Sequence, residues 1–136
     1  MLKRIKTSRQ VLIAVALASA LAACSSGPKE SSEDFYTAAA NGNTDKAMKM
    51  IDMADISPQD LSMGATGKLQ AVLESIHQKA QAHGGLDTVK VLSVNKIDDS
   101  HTQVTAQLVF KDGGTMVSKD NWIKLNGKWL LNPGQN

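Results

Sequence analysis

The chain has 136 residues, 15 Lys and Arg, 13 Asp and Glu and one cysteine, so its length allows one domain and no disulfide within it. Four of the 15 basic residues, Lys3, Arg4, Lys6 and Arg9, stand in the first nine positions. From Cys24 onward 11 remain against all 13 acids, and the formal charge turns from +2 to −2. With the signs interspersed and no basic stripe or aromatic platform, nucleic acid is excluded as a partner.

The basic opening is followed by a run of 13 apolar and small residues, Val11 to Ala23. A hydrocarbon core of ~30 Å needs about 20 such residues in a helix, so the run is too short to span. It reads as the h-region of a cleavable signal peptide, residues 1–23. Its end, Leu21-Ala22-Ala23-Cys24, resembles the lipobox of bacterial lipoproteins. That resemblance implies cleavage before Cys24 and lipid attachment on its thiol, with two or three acyl chains anchoring the protein at ~0.8 kcal/mol per buried methylene. The alternative is plain secretion after an Ala-x-Ala site, which would leave a free thiol in an oxidising compartment. Ser25, standing where an aspartate would signal retention, implies through the same resemblance the periplasmic face of the outer membrane. Ser25 to Ser32 is small and polar without apolar periodicity, which predicts a flexible tether over 24–31.

A single domain is expected over 32–132, with a short tail, 133–136. Ser32 as cap with Glu33 and Asp34 behind it opens a first helix that buries Phe35, Ala38 and Ala39 and stops at Asn41-Gly42. Thr44 caps a second, with Ala47, Met48, Ile51 and Ala54 on one face. Ser57-Pro58-Gln59-Asp60 restarts a helical turn, which Gly64 and Gly67 interrupt. From Lys68 to His83 the set Leu69, Val72, Leu73, Ile76 and Ala80 marks the clearest helix, ended by Gly84-Gly85. With the restarted turn taken together with the second helix, three helical pieces are expected between Ser32 and His83.

After Gly85 the apolar period becomes two, predicting strands over Leu86 to Ile97, Thr102 to Lys111, Thr115 to Leu125 and Lys128 to Asn132. Asp98-Asp99-Ser100, Asp112-Gly113-Gly114 and Asn126-Gly127 supply the turns, the last a type I′ signal. Val104, Ala106, Leu108 and Phe110 alternate with polar residues, so the sheet has one apolar face. Helices first and strands after predict an α+β fold in which N-terminal helices cover one face of a four-stranded antiparallel sheet.

Phe35-Tyr36-x-Ala38, Asn41-Gly42-Asn43-x-Asp45-Lys46-Ala47, Lys111-Asp112-Gly113 and Lys124-Leu125-Asn126-Gly127-Lys128-Trp129 resemble small bacterial lipoproteins with a cystatin-like, nuclear-transport-factor-like domain. The resemblance implies a curved sheet wrapped on helices as a cone, sometimes around a pocket. Isomerases, dehydratases, ligand binders and interaction modules share that fold, so it does not give function.

His77, His83 and His101 stand at no metal spacing. His83 suits the C-terminal turn of its helix and His101 a turn flank. Asp98-Asp99 fits a turn. Asp120 has no such explanation: it shares strand parity with Met116, Ser118 and Trp122, so Asp120, Met116 and Trp122 are candidate pocket residues, although Lys119-Asp120-Asn121 reads equally as a bulge or edge in water. Met48, Met50, Met53, Met63 and Met116 read as filler in a core poor in aromatics, or as an adaptable pocket. Trp122 and Trp129 suit cross-strand packing in the last hairpin, or a partner surface. With no visible partner for Asp120 and no hydrolase or nucleotide motif, no catalytic residue, metal ligand or cofactor is expected.

The expected function is a lipid-anchored envelope module, not an enzyme, that binds another envelope protein or an apolar small molecule. An isomerase or dehydratase and a structural spacer are the alternatives. An enclosed pocket of ~300 Å³ or more with Asp120 or a histidine pointing in favours ligand chemistry, and a filled cone favours interaction through the surface.

Overall fold

Proline at the first helical position and a carboxylate two residues later set where the first helix begins. In the computed structural model, which describes residues 27–133 apart from Asp55, Met63 and the side chain of Leu61, α1 runs Pro28–Ala40. Glu30 reaches back to accept the Gly27 N–H at 3.0 Å, and the fixed φ of Pro28 is already helical. The helix thus starts ahead of the expected Ser32 cap and takes in the last residues of the expected tether. Ser31 and Ser32 are buried in it. Cys24, the 1–23 segment, the start of the tether and residues 134–136 lie outside the described residues.

α2 spans Thr44–Met48 and is capped by Asn43, whose side chain accepts from the Lys46 N–H at 3.3 Å, not by Thr44. It ends before Ile51 because the chain there leaves helix to pair with the last strand. Ile51 bridges Leu131 in parallel, the Asp52 N–H donates to Leu131 O at 2.7 Å, and the Leu131 N–H donates to Met50 O at 2.8 Å. α3 is the turn Pro58–Ser62, opened by Ser57 Oγ accepting from the Asp60 N–H. α4 spans Ala65–Ala82 and starts from Gly64 at φ +93°. Gly67 sits inside its first turn and does not interrupt it. Four helical pieces therefore stand among the described residues where three were expected.

Gly84 and Gly85 end α4 at positive φ, with the Gly85 N–H bonded to Ala80 O at 2.7 Å. The strands β1 (Leu86–Lys96), β2 (His101–Phe110), β3 (Thr115–Leu125) and β4 (Lys128–Leu131) then form an antiparallel meander in sequence order. Asn126 and Gly127 both take positive φ, as a type I′ hairpin requires. Two register shifts in β1, between Leu86 and Thr88 and between Val91 and Ser93, are irregularities of the kind that bend a strand.

The inner face of β2 carries Val104, Ala106, Leu108 and Phe110, none more than 1% exposed. Against it pack Phe35 and Tyr36 of α1, Leu73 and Ala80 of α4, and Trp122 of β3. Phe35 is the pivot: its ring meets Tyr36 and Trp122 edge-on at centroid distances of 5.1 and 5.9 Å. Such pairs contribute about 0.5–1.5 kcal/mol each beyond area burial. The result is the expected α+β layer, helices on one face of a curved four-stranded sheet. Among the described residues no helix is long and apolar enough to cross a membrane.

Candidate functional site

Strand alternation turns Met116, Ser118, Asp120 and Trp122 of β3 toward the helices. Asp120 pairs in unbroken register with Val104, between Lys119 opposite Thr105 and Asn121 opposite Gln103, so the stretch is no bulge; β4 pairs with β3 only from Trp122 onward, which leaves Asp120 on the edge side of the sheet with its side chain turned inward and not into water. The residue is 9% exposed. Across from it α1 places Tyr36, whose hydroxyl donates to Asp120 Oδ2. Ser118 Oγ lies 3.1 Å from Oδ2 and 3.2 Å from Oδ1. The lone acid of the sequence reading thus has a partner 84 residues away in the chain.

Burial pushes the Asp120 carboxyl above the usual carboxylate range, and the hydrogen bonds from Tyr36 and Ser118 offset this only in part. Tyr36 is pushed well above the ordinary tyrosine range by burial, then by the charge of Asp120 and its hydrogen bond to it. The phenol is thus held in its protonated form as the donor to Asp120.

Beside this pair a partly open cavity of about 390 Å³ lies between α4 and the inner face of β3. Leu69, Val72, Leu73 and Ile76 form its α4 wall, Phe35 and Met116 extend the apolar lining, and Tyr36, Ser118 and Asp120 make one polar corner. Val72, 57% exposed, belongs to the apolar stripe of α4 and lines the cavity. Of the candidate residues, Asp120 and Met116 border the cavity. Trp122 does not: it is packed against Phe35 with 1% exposure.

The remaining candidates lie elsewhere. The His77 Nδ1–H donates to Ala40 O at 2.8 Å, tying α4 to the end of α1. His83 ends α4, stacks on Phe110 at 5.1 Å and bonds Asp112 at 2.7 Å. His101 bonds Asp98 in the β1–β2 turn. Met48, Met50 and Met53 pack on the core, as does Trp129. Among the described residues no three potential ligands gather as a metal site.

Tyr36 is the site residue that sequence reading missed. The available signal was that the chain holds one tyrosine, four residues before Ala40 on the same helical face.

Residues 22–132 match the family described as "Domain of unknown function (DUF4878)". A crystal structure of a Campylobacter jejuni protein provisionally named an NTF2-like transpeptidase superposes with a TM-score of 0.71 at 20% identity. The match covers 79% of this chain and 98% of that one. At that identity the likeness is one of fold, and the fold is NTF2-like. No curated protein matches the chain.

Proposed function

We propose a ligand-binding role for this chain, which belongs to the DUF4878 family of domains of unknown function. Its domain holds a small, mainly apolar molecule without transforming it, and Cys24 carries lipid that fixes the domain to the bacterial envelope, at the periplasmic face of the outer membrane. The observation that carries the binding role is the cavity: about 390 Å³, apolar on its helix wall, with a single polar corner at Tyr36 and Asp120. Few convergent polar groups in a concave apolar site are the general form of a small-molecule pocket. The lipobox-like Leu21-Ala22-Ala23-Cys24 and the solitary cysteine support the address.

The absence of catalysis rests on how the polar groups are used. Asp120 has only neutral hydroxyl partners, the Tyr36 proton is committed to its Oδ2, and among the described residues no second titratable group beside Tyr36 borders the cavity to relay a proton. The name of the Campylobacter protein suggests peptide transfer, but no histidine, lysine or cysteine borders the cavity among the described residues to activate Ser118. A second reading, an isomerase or dehydratase with Asp120 as base, is favoured by one observation: the carboxyl is raised inside an apolar site.

Mass spectrometry of small molecules that co-purify with the protein tests the binding role. A bound apolar compound is expected with the native chain and not with Ile76→Trp, which fills the cavity. An empty native protein would overturn the role. Turnover lost in Asp120→Asn at an unchanged thermal melt would replace it with the enzymatic reading.

A further inference from the structure

A buried carboxylate is normally paired with a cation, because leaving its charge uncompensated in a poor dielectric is costly. Among the described residues Asp120 has no such partner. Among the described residues the ion pairs are His83–Asp112, Lys96–Asp99 and His101–Asp98, all at the surface. What Asp120 has is two neutral hydroxyls. Ser118 has one proton to share between Oδ1 and Oδ2, and Tyr36 is spent on Oδ2. A carboxylate offers about four lone-pair positions, so accepting capacity remains, chiefly on Oδ1.

Among the described residues the groups around it supply no cation. α4 borders the cavity with Leu69, Val72, Leu73 and Ile76, and β2 places Val104 opposite Asp120. Leu131 and Pro133 close the β4 side. The titratable group that faces Asp120 is Tyr36; Asp52, buried beside Ile51, does not border the cavity. From the cavity, then, a ligand meets an apolar wall and one acceptor that lacks a counter-charge.

We propose that the cavity selects small apolar molecules bearing an amine, whose ammonium group becomes the counter-ion of Asp120 while its carbon body lies along Leu69, Leu73, Ile76 and Met116. This rests on the binding role proposed above and names the ligand class for it. An alcohol of the same shape makes only a neutral hydrogen bond, and a carboxylic acid brings a second negative charge. Charge-assisted bonds outweigh neutral ones by enough to give the amine an advantage of about tenfold over the alcohol. Cation binding also requires an ionised Asp120, so amine affinity rises with pH across the titration of that carboxyl while alcohol affinity does not.

Three probes with one carbon frame separate the possibilities: tryptamine, tryptophol and indole-3-acetate, titrated calorimetrically into the full chain at several pH values. The expected order is tryptamine, then tryptophol, with indole-3-acetate last, and the gap between the first two widens from acid to neutral pH. In Asp120→Asn tryptophol binding persists and the preference for tryptamine is gone. Equal binding of amine and alcohol, or tighter binding of the acid, overturns the amine proposal and leaves the binding role standing. If none of the three binds, the amine proposal falls, and the compound that co-purifies with the native chain decides the binding role. Should Asp120→Asn fail to fold, the native pH profile decides: tryptamine affinity that does not rise with pH relative to tryptophol overturns the proposal.

Discussion

The Tyr36 hydroxyl and the Asp120 carboxylate meet beneath α1, one donating and the other accepting, and each accounts for the burial of the other. Tyr36→Phe removes the donor and leaves Asp120 with Ser118 alone. Losing one hydrogen bond to a buried charged group costs about 1.5–3 kcal/mol. Chemical denaturation at neutral pH is expected to show a loss in that range, shrinking toward acid pH as Asp120 takes up a proton. A loss that is the same at both pH values would mean that Asp120 is not charged in the native state.

Asp120 reverses the usual acid dependence of a carboxylate. Because its folded pKa lies above the unfolded one, the native state binds the proton more tightly. Its contribution favours folding at low pH and is lost as pH rises through the raised folded value. Asp98 and Asp112 run the other way. Asp98 is held down by the His101 hydrogen bond and the Ser100 N–H, and Asp112 by the Gly114 N–H and His83. Their stabilisation is present above the ordinary carboxylate range and fades as pH falls through their lowered values. Comparing the native chain with Asp120→Asn removes the surface terms: the Asn variant should gain on the native protein as pH rises from about 4 toward 7. A gain in the opposite direction would show that the hydrogen bonds from Tyr36 and Ser118 outweigh burial.

Gly42 joins α1 to α2 at φ +79°, and a Cβ there would lie 2.9 Å from the His77 ring. Alanine at this position meets both the backbone penalty and the ring that ties α4 to Ala40 O. Gly42→Ala is expected to lower stability by at least ~1 kcal/mol. In a thermal-melt double-mutant cycle, the cost of Gly42→Ala should be smaller in a His77→Ala background, where the steric part is relieved. Strict additivity would leave the backbone conformation as the whole effect.

How much of this was legible in the chain depended on whether the deciding contact was local. The strands were, to within a residue or so at each end, because alternation and the Asp112-Gly113-Gly114 and Asn126-Gly127 turns act over a few residues. The start of α1 was misplaced because Ser32-Glu33-Asp34 imitates a cap that Pro28 and Glu30 supply upstream. α2 was drawn too long because its end is set by Leu131, some 80 residues on, and no periodicity carries that information. The candidate site divides in the same way. Strand parity put Asp120 and Met116 on the inner face, whereas pairing Asp120 with Tyr36 required knowing how α1 crosses the sheet.

The address can be tested apart from the cavity. If Cys24 carries lipid, labelled palmitate enters the native protein, and Cys24→Ser loses both the label and the membrane association. Two or three acyl chains at ~0.8 kcal/mol per buried methylene hold a protein on a bilayer through washing, whereas a single chain gives only reversible binding. The folded domain offers one competing explanation for attachment, since Leu92, Val94 and Ile97 are 55%, 45% and 61% exposed at the far end of β1 and its turn. Three scattered apolar side chains bury far fewer methylenes than the acyl chains would, so they should not retain the protein alone. Fractionation of the Cys24→Ser variant is therefore expected to move the protein from the membrane pellet. Retention in the pellet, abolished only when Leu92 and Ile97 are also made polar, would assign membrane attachment to the sheet edge and overturn the lipoprotein reading.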